Sequence, residues 1–417
     1  MSLRLLRLAF DNPTYLARYF AAHPALARKP YAEGHAALMY NGFAQADFWT
    51  GALADLGYET SDVIANAEPL QRQWARQGAA GGGIDWNTEN WMLEIAAAQV
   101  RAWQPDVLLL TDYTMFDAAF VQRLRAENPT LRLVLGWCGA PYHDPAVFRT
   151  YDAVLSNVPE LVAHFRAEGH TCHHVRHAFE PRLLDRIKTS ASPNVDFTFI
   201  GSIVRRSDFH LAREMLLLAL LRDTNLRIYA PVTRPPRSKQ LTQRAKQTAY
   251  DTVHGAQRIG IPKGLLRRLP GVRRVLGWKT RPAPPATGVH PRLLRAARPP
   301  LFGLAMYQQL RNSRVTLNTH IDISAHSASN MRLFEATGVG TCLLTDWKDD
   351  LPQLFEPDVE VVAYRNAAEC AEKVAYLLAH PDERAAIAAA GQARTLRDYT
   401  TTHVAARLDA IIQEALG

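Results

Sequence analysis

Along the chain, short apolar runs alternate with longer stretches whose apolar residues recur every three or four positions. "LRLLRLAF" (3–10) reads as a strand and "ADFWTGALADLGYE" (46–59) as an amphipathic helix with Gly57 in its C-cap region. "PDVLLLTDY" (105–113) is a continuous apolar run ending in polar residues, the pattern of a parallel strand buried on both faces. "TLRLVLGWCGAPYHD" (130–144) repeats it. "YDAVLSNVPELVAHFRAEGH" (151–170) is strand, turn and helix, and "HHVRHAF" (173–179) is a sixth strand.

A polar stretch, "KTSASPNVD" (188–196), interrupts the pattern and reads as a linker, after which the alternation starts again. "FTFIGSIVRRSD" (197–208) is a strand and a polar loop, "LAREMLLLALL" (211–221) a helix, and "NLRIYAP" (225–231) a strand. "YQQLRNSRVTLNTH" (307–320), "TCLLTD" (341–346) and "VEVVAY" (359–364) continue the series, and helices are expected over about 366–379, 382–396 and 402–416. Strands alternating with helices predict right-handed βαβ units, hence an α/β protein with two Rossmann-like doubly wound parallel sheets. The expected division is an acceptor-side domain over 1–187 and a nucleotide-sugar-side domain over 188–400. A terminal helix, 401–417, is expected to pack back on the first domain.

The length of 417 residues suits two domains, and 47% hydrophobic with 21% charged residues is a globular profile. No apolar run approaches the roughly 20 residues of a membrane span. The opening residues look like a first strand, so a cytoplasmic protein is expected. Four widely spaced cysteines without a CxxC pair argue for reduced thiols and against a zinc site. The net charge of +8 is uneven: residues 233–298 hold twelve Arg, four Lys and one Asp, so they alone carry +15 and the remainder −7.

Several stretches together resemble a known family. They are "FIGS" (199–202), "LFGLAMYQQLRNSRVTLNTH" (301–320), "NMRLFEATGVGTCLLTD" (330–346), "LFEPDVEVVAY" (354–364) and "LAHPDERAAIAAAGQARTLRDYT" (378–400). With two Rossmann-like halves in tandem, they resemble the GT-B glycosyltransferases, and specifically the CgeB-type (spore-maturation) enzymes. The resemblance extends to the family-4 retaining glycosyltransferases, where two glutamates eight positions apart flank this helix start. Glu335 sits at the second position and Ser327 stands at the first, so the family-4 mechanism does not follow. The resemblance implies two domains facing each other across a cleft that binds a nucleotide-sugar donor and an acceptor.

The turn "SASN" (327–330) enters a helix, and its N–H groups and dipole suit a diphosphate. Ser327, Ser329 and Asn330 are therefore donor-site candidates, with ordinary capping as the alternative. By resemblance, Glu335 accepts hydrogen bonds from the ribose hydroxyls. Gly201 and Ser202 follow a strand, where glycine permits a tight turn and close backbone approach. Arg205, Arg206 and Arg332 are candidate cations for the leaving diphosphate. In the first half, Asp112, His143 and Asp144 stand at strand ends as candidates for catalysis, against the plainer reading of turn caps. There is no Walker GxxxxGK, GxSxG or HExxH, and no DxD in a suitable context. No metal or cofactor is expected.

"GIPKGLLRRLPGVRRVLGWK" (260–279) mixes apolar residues with paired arginines. An anionic membrane surface is one partner for it and an anionic acceptor another; nucleic acid is not expected. Pro262 and Pro270 limit the stretch to short helices. The expected activity is a metal-independent, hexosyltransferase-type transfer from a nucleotide-diphosphate sugar to a hydroxyl of a glycan, lipid-linked saccharide or protein. The alternatives are a GT-B nucleotide-sugar epimerase or hydrolase, and a nucleotide-sugar-binding protein with a degenerate site.

Overall fold

The computed structural model describes residues 2–79, 83–88, 90–142, 144–188, 193–203, 211–232, 237–258, 262–266, 272–276, 289–321 and 323–417. They divide into two compact units. The larger holds Met1–Phe199, Thr224–Leu226 and Leu301–Gly417, and the smaller Ile200–Asp223 and Arg227–Pro300.

In the larger unit, the first sheet is built from β1 (Arg4–Ala9), β2 (Glu59–Ile64), β3 (Val107–Leu110), β4 (Leu133–Trp137), β5 (Ala153–Ser156) and β6 (Cys172–His174). All pairings are parallel, in the order β2-β1-β3-β4-β5-β6. The continuous apolar runs read from the sequence are its centre: every residue of β3 is fully buried. Each such leucine is worth about 1.5–3 kcal/mol relative to exposure. Helices on the sheet, among them Trp91–Trp103 and Ala118–Glu127, supply Ala96, Ala97, Phe120 and Val121 to the same core. Of the two ion pairs that join β1 and β2, Arg4–Glu59 is exposed and the other is buried. Arg7 on β1 stands in register with Asp62 on β2, both are buried, and the guanidinium meets the carboxylate directly.

Strand order reverses between β1 and β3: the chain leaves β1 for β2 on one side, then crosses to β3 on the other. Ligands of open α/β sheets bind beyond the carboxyl ends at such a point. The residues just past those ends are Asp11 and Asp112.

The second sheet of the larger unit contains β7 (Val195–Ile200, up to Phe199), β10 (Ser313–Leu317), β11 (Cys342–Asp346) and β12 (Val362–Tyr364), in the order β12-β11-β10-β7 and again parallel. The helices Gly303–Arg311, Arg332–Gly338, Ala367–Ala379 and Pro381–Asp398 serve it. Two crossovers join it to the first sheet and are tied to each other. The Phe179 N–H donates to Tyr399 O (2.8 Å) and the Thr401 N–H to Phe179 O (3.0 Å). The terminal helix Thr401–Leu416 then packs on the helix Phe48–Ala54 beneath the first sheet, and Tyr58 OH donates to Asp409 Oδ1 (2.6 Å).

In the smaller unit, β8 (Arg227–Tyr229) pairs with β9 (Ala297–Arg298). The helix Leu211–Asp223 is tied to the helix Pro291–Ala296 through Glu214 Oε1, which accepts the His290 N–H (2.8 Å). The basic segment, 233–298, is described over 237–258, 262–266, 272–276 and 289–298. It contains a 22-residue helix, Arg237–Arg258, followed by the short helices Lys263–Leu266 and Val272–Leu276. Among the described residues, no helix is long and apolar enough to cross a membrane. All four cysteines are buried and free.

Candidate active site

Beyond the carboxyl end of β10 the chain runs through Asn318, Thr319 and His320, all buried. Asn318 fixes this turn: its Nδ2 donates to Thr345 Oγ1 (2.9 Å) on β11, and its carbonyl accepts from Tyr364 OH (2.9 Å) on β12. Its Oδ1 accepts from Asn330 Nδ2 (2.7 Å), which anchors the start of the next helix. His320 is clamped on one edge by Asp346 at the end of β11. Its Nδ1 lies 2.7 Å from Asp346 Oδ1, and its backbone N–H faces both carboxylate oxygens at 3.1 and 3.2 Å. Burial works against the Asp346 charge, but His320 and Lys348 outweigh it and hold the carboxyl below its usual range. The other ring nitrogen, His320 Nε2, is buried without a partner, and so is Asn330 Oδ1.

The first sheet reaches the same place. Asn157, just past β5, is buried; its Nδ2 donates to Ser329 O (2.6 Å), and its Oδ1 has no partner. A side chain at Gly139, past β4, would collide with that oxygen, so glycine there keeps the space open. Glu160 Oε2 accepts from Ser327 Oγ (2.6 Å) and Oε1 from the His326 N–H (3.2 Å). Burial raises the Glu160 carboxyl, and these bonds more than reverse the effect, leaving it below its usual value. Asp350 Oδ1 takes the Ala328 N–H (2.6 Å). One N–H of the turn expected to meet a diphosphate, that of Ala328, is thus held by a carboxylate, and so is the His326 N–H just before it.

Ser327, Ser329 and Asn330 bond to different partners, Glu160, Ser324 and Asn318, and the helix itself begins later, at Arg332, with Met331 at its N-cap and no side-chain cap. Glu335 faces elsewhere. It is 6% exposed; Oε2 meets Arg332 Nη1 at 2.9 Å, and Oε1 accepts from Tyr307 OH at 3.3 Å. Burial, then the Glu335 charge, pushes the Tyr307 hydroxyl well above its ordinary pKa. Arg332 also lies against Met306 Sδ. The carboxylate expected to await ribose and the cation expected to await phosphate are paired with each other.

Gly201 and Ser202 belong to the smaller unit, where the Gly201 N–H donates to Tyr229 O (3.1 Å) and Arg213 Nη1 to Ser202 O (3.0 Å). Arg205, Arg206 and His143 lie outside the described residues. Asp112 and Asp144 are turn caps: Asp112 Oδ1 accepts from Thr114 N, Thr114 Oγ1 and Met115 N, and Asp144 Oδ1 from Ala146 N.

The strand-end carboxylate that the sequence reading passed over is Asp11. It is 9% exposed at the point of strand reversal, and burial lifts its pKa to about 6, against the pull of Arg7 and with a further push from Asp62. Asn12 fixes its position by capping the helix Pro13–Ala22 through Thr14 N (2.9 Å) and Tyr15 N (3.3 Å). The facing loop, 40–47, holds Ala44 and Ala46 at positive φ (52° and 38°), and Ala46 O accepts from Arg7. Side chains in that region cost of order 1–3 kcal/mol each and are found where the surroundings over-determine them. Tyr15 stacks on Phe43 of this loop (3.9 Å) and meets Phe302, which caps the helix Gly303–Arg311 (5.7 Å).

A family model described as glycosyl transferase-like matches residues 237–410. Several solved structures match along almost the whole chain. HepE of Anabaena in complex with UDP-glucose superposes with a TM-score of 0.55 at 11% identity, covering 99% of this chain and 100% of that one. Sucrose-phosphate synthase from Thermosynechococcus elongatus gives 0.53 at 11% identity (99% and 98% covered). A glycosyltransferase from Rickettsia africae gives 0.51 at 10% (100% and 99%). The fold is GT-B. No curated protein matches the chain in sequence. Among the described residues, no three His, Cys, Asp or Glu side chains converge as a metal site.

Proposed function

We propose that this protein transfers a sugar from a nucleotide-diphosphate donor to a hydroxyl of a glycan, a lipid-linked saccharide or a protein. One observation carries the reading: three buried polar atoms without protein partners, His320 Nε2, Asn330 Oδ1 and Asn157 Oδ1, gather beyond the carboxyl ends of strands from both sheets. Buried polar groups are paired as a rule, and these three are acceptors, so they mark where a ligand's hydroxyls complete the set. The glycosyl transferase-like match and the GT-B neighbours, one in complex with UDP-glucose, support the same class.

In this reading Asp346 holds the His320 ring with Nδ1–H toward itself, which leaves Nε2 to accept a donor hydroxyl. Asn330 and Asn157 bracket the donor from the two sheets. Asp11, a carboxyl poised near neutrality, takes the acceptor proton as the acceptor oxygen attacks the anomeric carbon. In the larger unit the leaving diphosphate gains its counter-charge from Arg332, with no metal. A ribose contact at Glu335 requires Tyr307 or Arg332 to release one carboxylate oxygen. The basic stretch 260–279 brings the protein to an anionic membrane surface at the cytoplasmic face, where a lipid-linked acceptor would be met.

Incubation with UDP-, GDP- and dTDP-sugars, with and without acceptor extracts, tests the proposal. Nucleotide release that depends on acceptor, and that His320→Ala reduces at least tenfold, is the expected result. Release without acceptor, or an epimerised free sugar nucleotide, would move the assignment to the hydrolase or epimerase reading.

A further inference from the structure

A second cavity, of about 270 Å³, opens where the two crossovers meet. Its polar lining comes from His174, Arg176 and His177 on the first crossover and Asp398, His403 and Arg407 on the second. The residues of the 318–330 turn do not line it.

Its charge is one-sided. Asp398 is already taken by Arg394 (3.1 Å) and Arg397 (3.0 Å). His403 Nδ1 is used in capping the terminal helix against Thr400. Arg176 and Arg407 have no carboxylate partner among the described residues, although both reach the same cavity. Burial, and then the Arg176 charge, lowers the His174 pKa, and burial alone brings His177 down to about 3. Both imidazoles are therefore neutral. His174 Nε2 faces Asn157 O at 3.4 Å, so its N–H is spent on that carbonyl, and of the two rings only His177 is left to donate into the cavity.

We infer that this cavity is a binding site for a small phosphate-bearing anion, held by the guanidinium groups of Arg176 and Arg407 and by an N–H of His177. A guanidinium presents paired donors that match phosphate oxygens, and two of them across one opening offset a dianion. The volume is just under the range usual for drug-sized ligands, which fits a phosphate or a compact phosphate ester and is tight for a nucleotide. The ligand would touch both crossovers beside the Phe179–Thr400 bridge, so its binding energy would favour the arrangement in which they meet.

The site is separate from the proposed donor site, and the test keeps the two apart. Inorganic phosphate is titrated into the full chain by calorimetry at constant ionic strength, with sodium chloride as the control. Saturable binding at one site is expected, weakened at least tenfold in Arg176→Gln/Arg407→Gln. Both side chains are on exposed residues, so the melting temperature should stay unchanged. His177→Gln should weaken phosphate severalfold as an independent check. UDP should bind the double variant as it binds the parent chain, and should not displace phosphate. No saturable heat, equal affinity in the double variant, or displacement of phosphate by UDP would each overturn the inference. Failure of UDP to bind at all would count against the transferase reading and leave the phosphate result standing.

Discussion

Replacing Glu335 by alanine tests whether this carboxylate is first a structural anchor. The side chains of Glu335 and Arg332 are 8% and 14% exposed, and they meet at 2.9 Å within one helix. Removing one partner of a buried pair costs about 3–5 kcal/mol, because the other charge stays where water cannot reach it. Arg332 keeps some solvent and the weakly accepting Met306 sulfur, which places the expected loss near the lower end, about 3 kcal/mol. Tyr307 loses its acceptor as well, but the three groups share one network and the terms do not add. Urea unfolding of Glu335→Ala, Arg332→Met and the double variant measures this. The double variant should be more stable than the two single losses predict, with a coupling of roughly 1–3 kcal/mol. A Glu335→Ala loss below about 1 kcal/mol, or strict additivity, would refute the anchoring role. A fall in UDP affinity with unchanged stability would return Glu335 to the ribose.

Asp11→Asn should remove the cost of a buried charge. The folded pKa lies above the ordinary value of 3.8, so the folded state binds the proton more tightly and stability falls as pH rises from about 4 to 6. Urea unfolding at pH 8 should therefore show a gain of up to roughly 3 kcal/mol that is absent at pH 4, alongside lost transfer; equal effects at both pH values would refute it. Gly303→Ala should cost at least about 1–3 kcal/mol by thermal or urea unfolding, since φ is +51° and a side chain would meet Asn41. Gly338→Ala, which sets a methyl into the Phe179 ring, should lower the melting temperature similarly. Changing Arg267, Arg268, Arg273 and Arg274 to Gln should abolish co-sedimentation with anionic liposomes at low salt without altering UDP affinity; unchanged sedimentation would remove the membrane role.

The fold was legible because burial on both faces leaves a plain signature. Within 105–113 and 130–144 the stretches 107–110 and 133–137 are apolar throughout, and they form β3 and β4 at the middle of the first sheet. At the edges the signature weakens. β2 carries Thr60, Ser61 and Asp62, and its charge is intelligible only once Arg7 stands opposite it, a pairing across 55 residues. The helix Arg237–Arg258 was hidden for a different reason: its composition is so basic that charge overshadowed its periodicity.

The site was legible where local chemistry decides it and obscure where three dimensions do. Ser327, Ser329 and Asn330 announce a polar turn before a helix, and each makes a side-chain hydrogen bond there. Asp112 and Asp144 also stand at strand ends, yet their carboxylates are spent on the next turn, a use that the same residue types serve equally well. Asp11 stands in "DNP", where any of the polar residues could open a helix, and only its burial at the strand reversal sets it apart. His320 was visible in "LNTH", but its meaning depends on Asp346, 26 residues away on the neighbouring strand.

The same long-range logic bears on how a donor would enter. The turn at 326–328 offers N–H groups to an anion, and Glu160 from the first sheet and Asp350 from beyond β11 occupy two of them. A diphosphate arriving there would have to displace carboxylates of its own sign. Displacing Glu160 also breaks its bond to Ser327, a direct tie between the first-sheet side and the second. Donor affinity would then depend on how firmly the two sides are held together as well as on the contacts made to the nucleotide, because a ligand shifts a conformational equilibrium only by its difference in affinity for the two states. Asn157 and its bond to Ser329 O are a second tie of the same kind, and the unpartnered Oδ1 on that side chain means that a ligand can engage it without breaking the bond. For a donor bound at this turn, Glu160 would have to yield and Asn157 would not, so the two ties would have opposite consequences for binding although they lie only three residues apart in sequence.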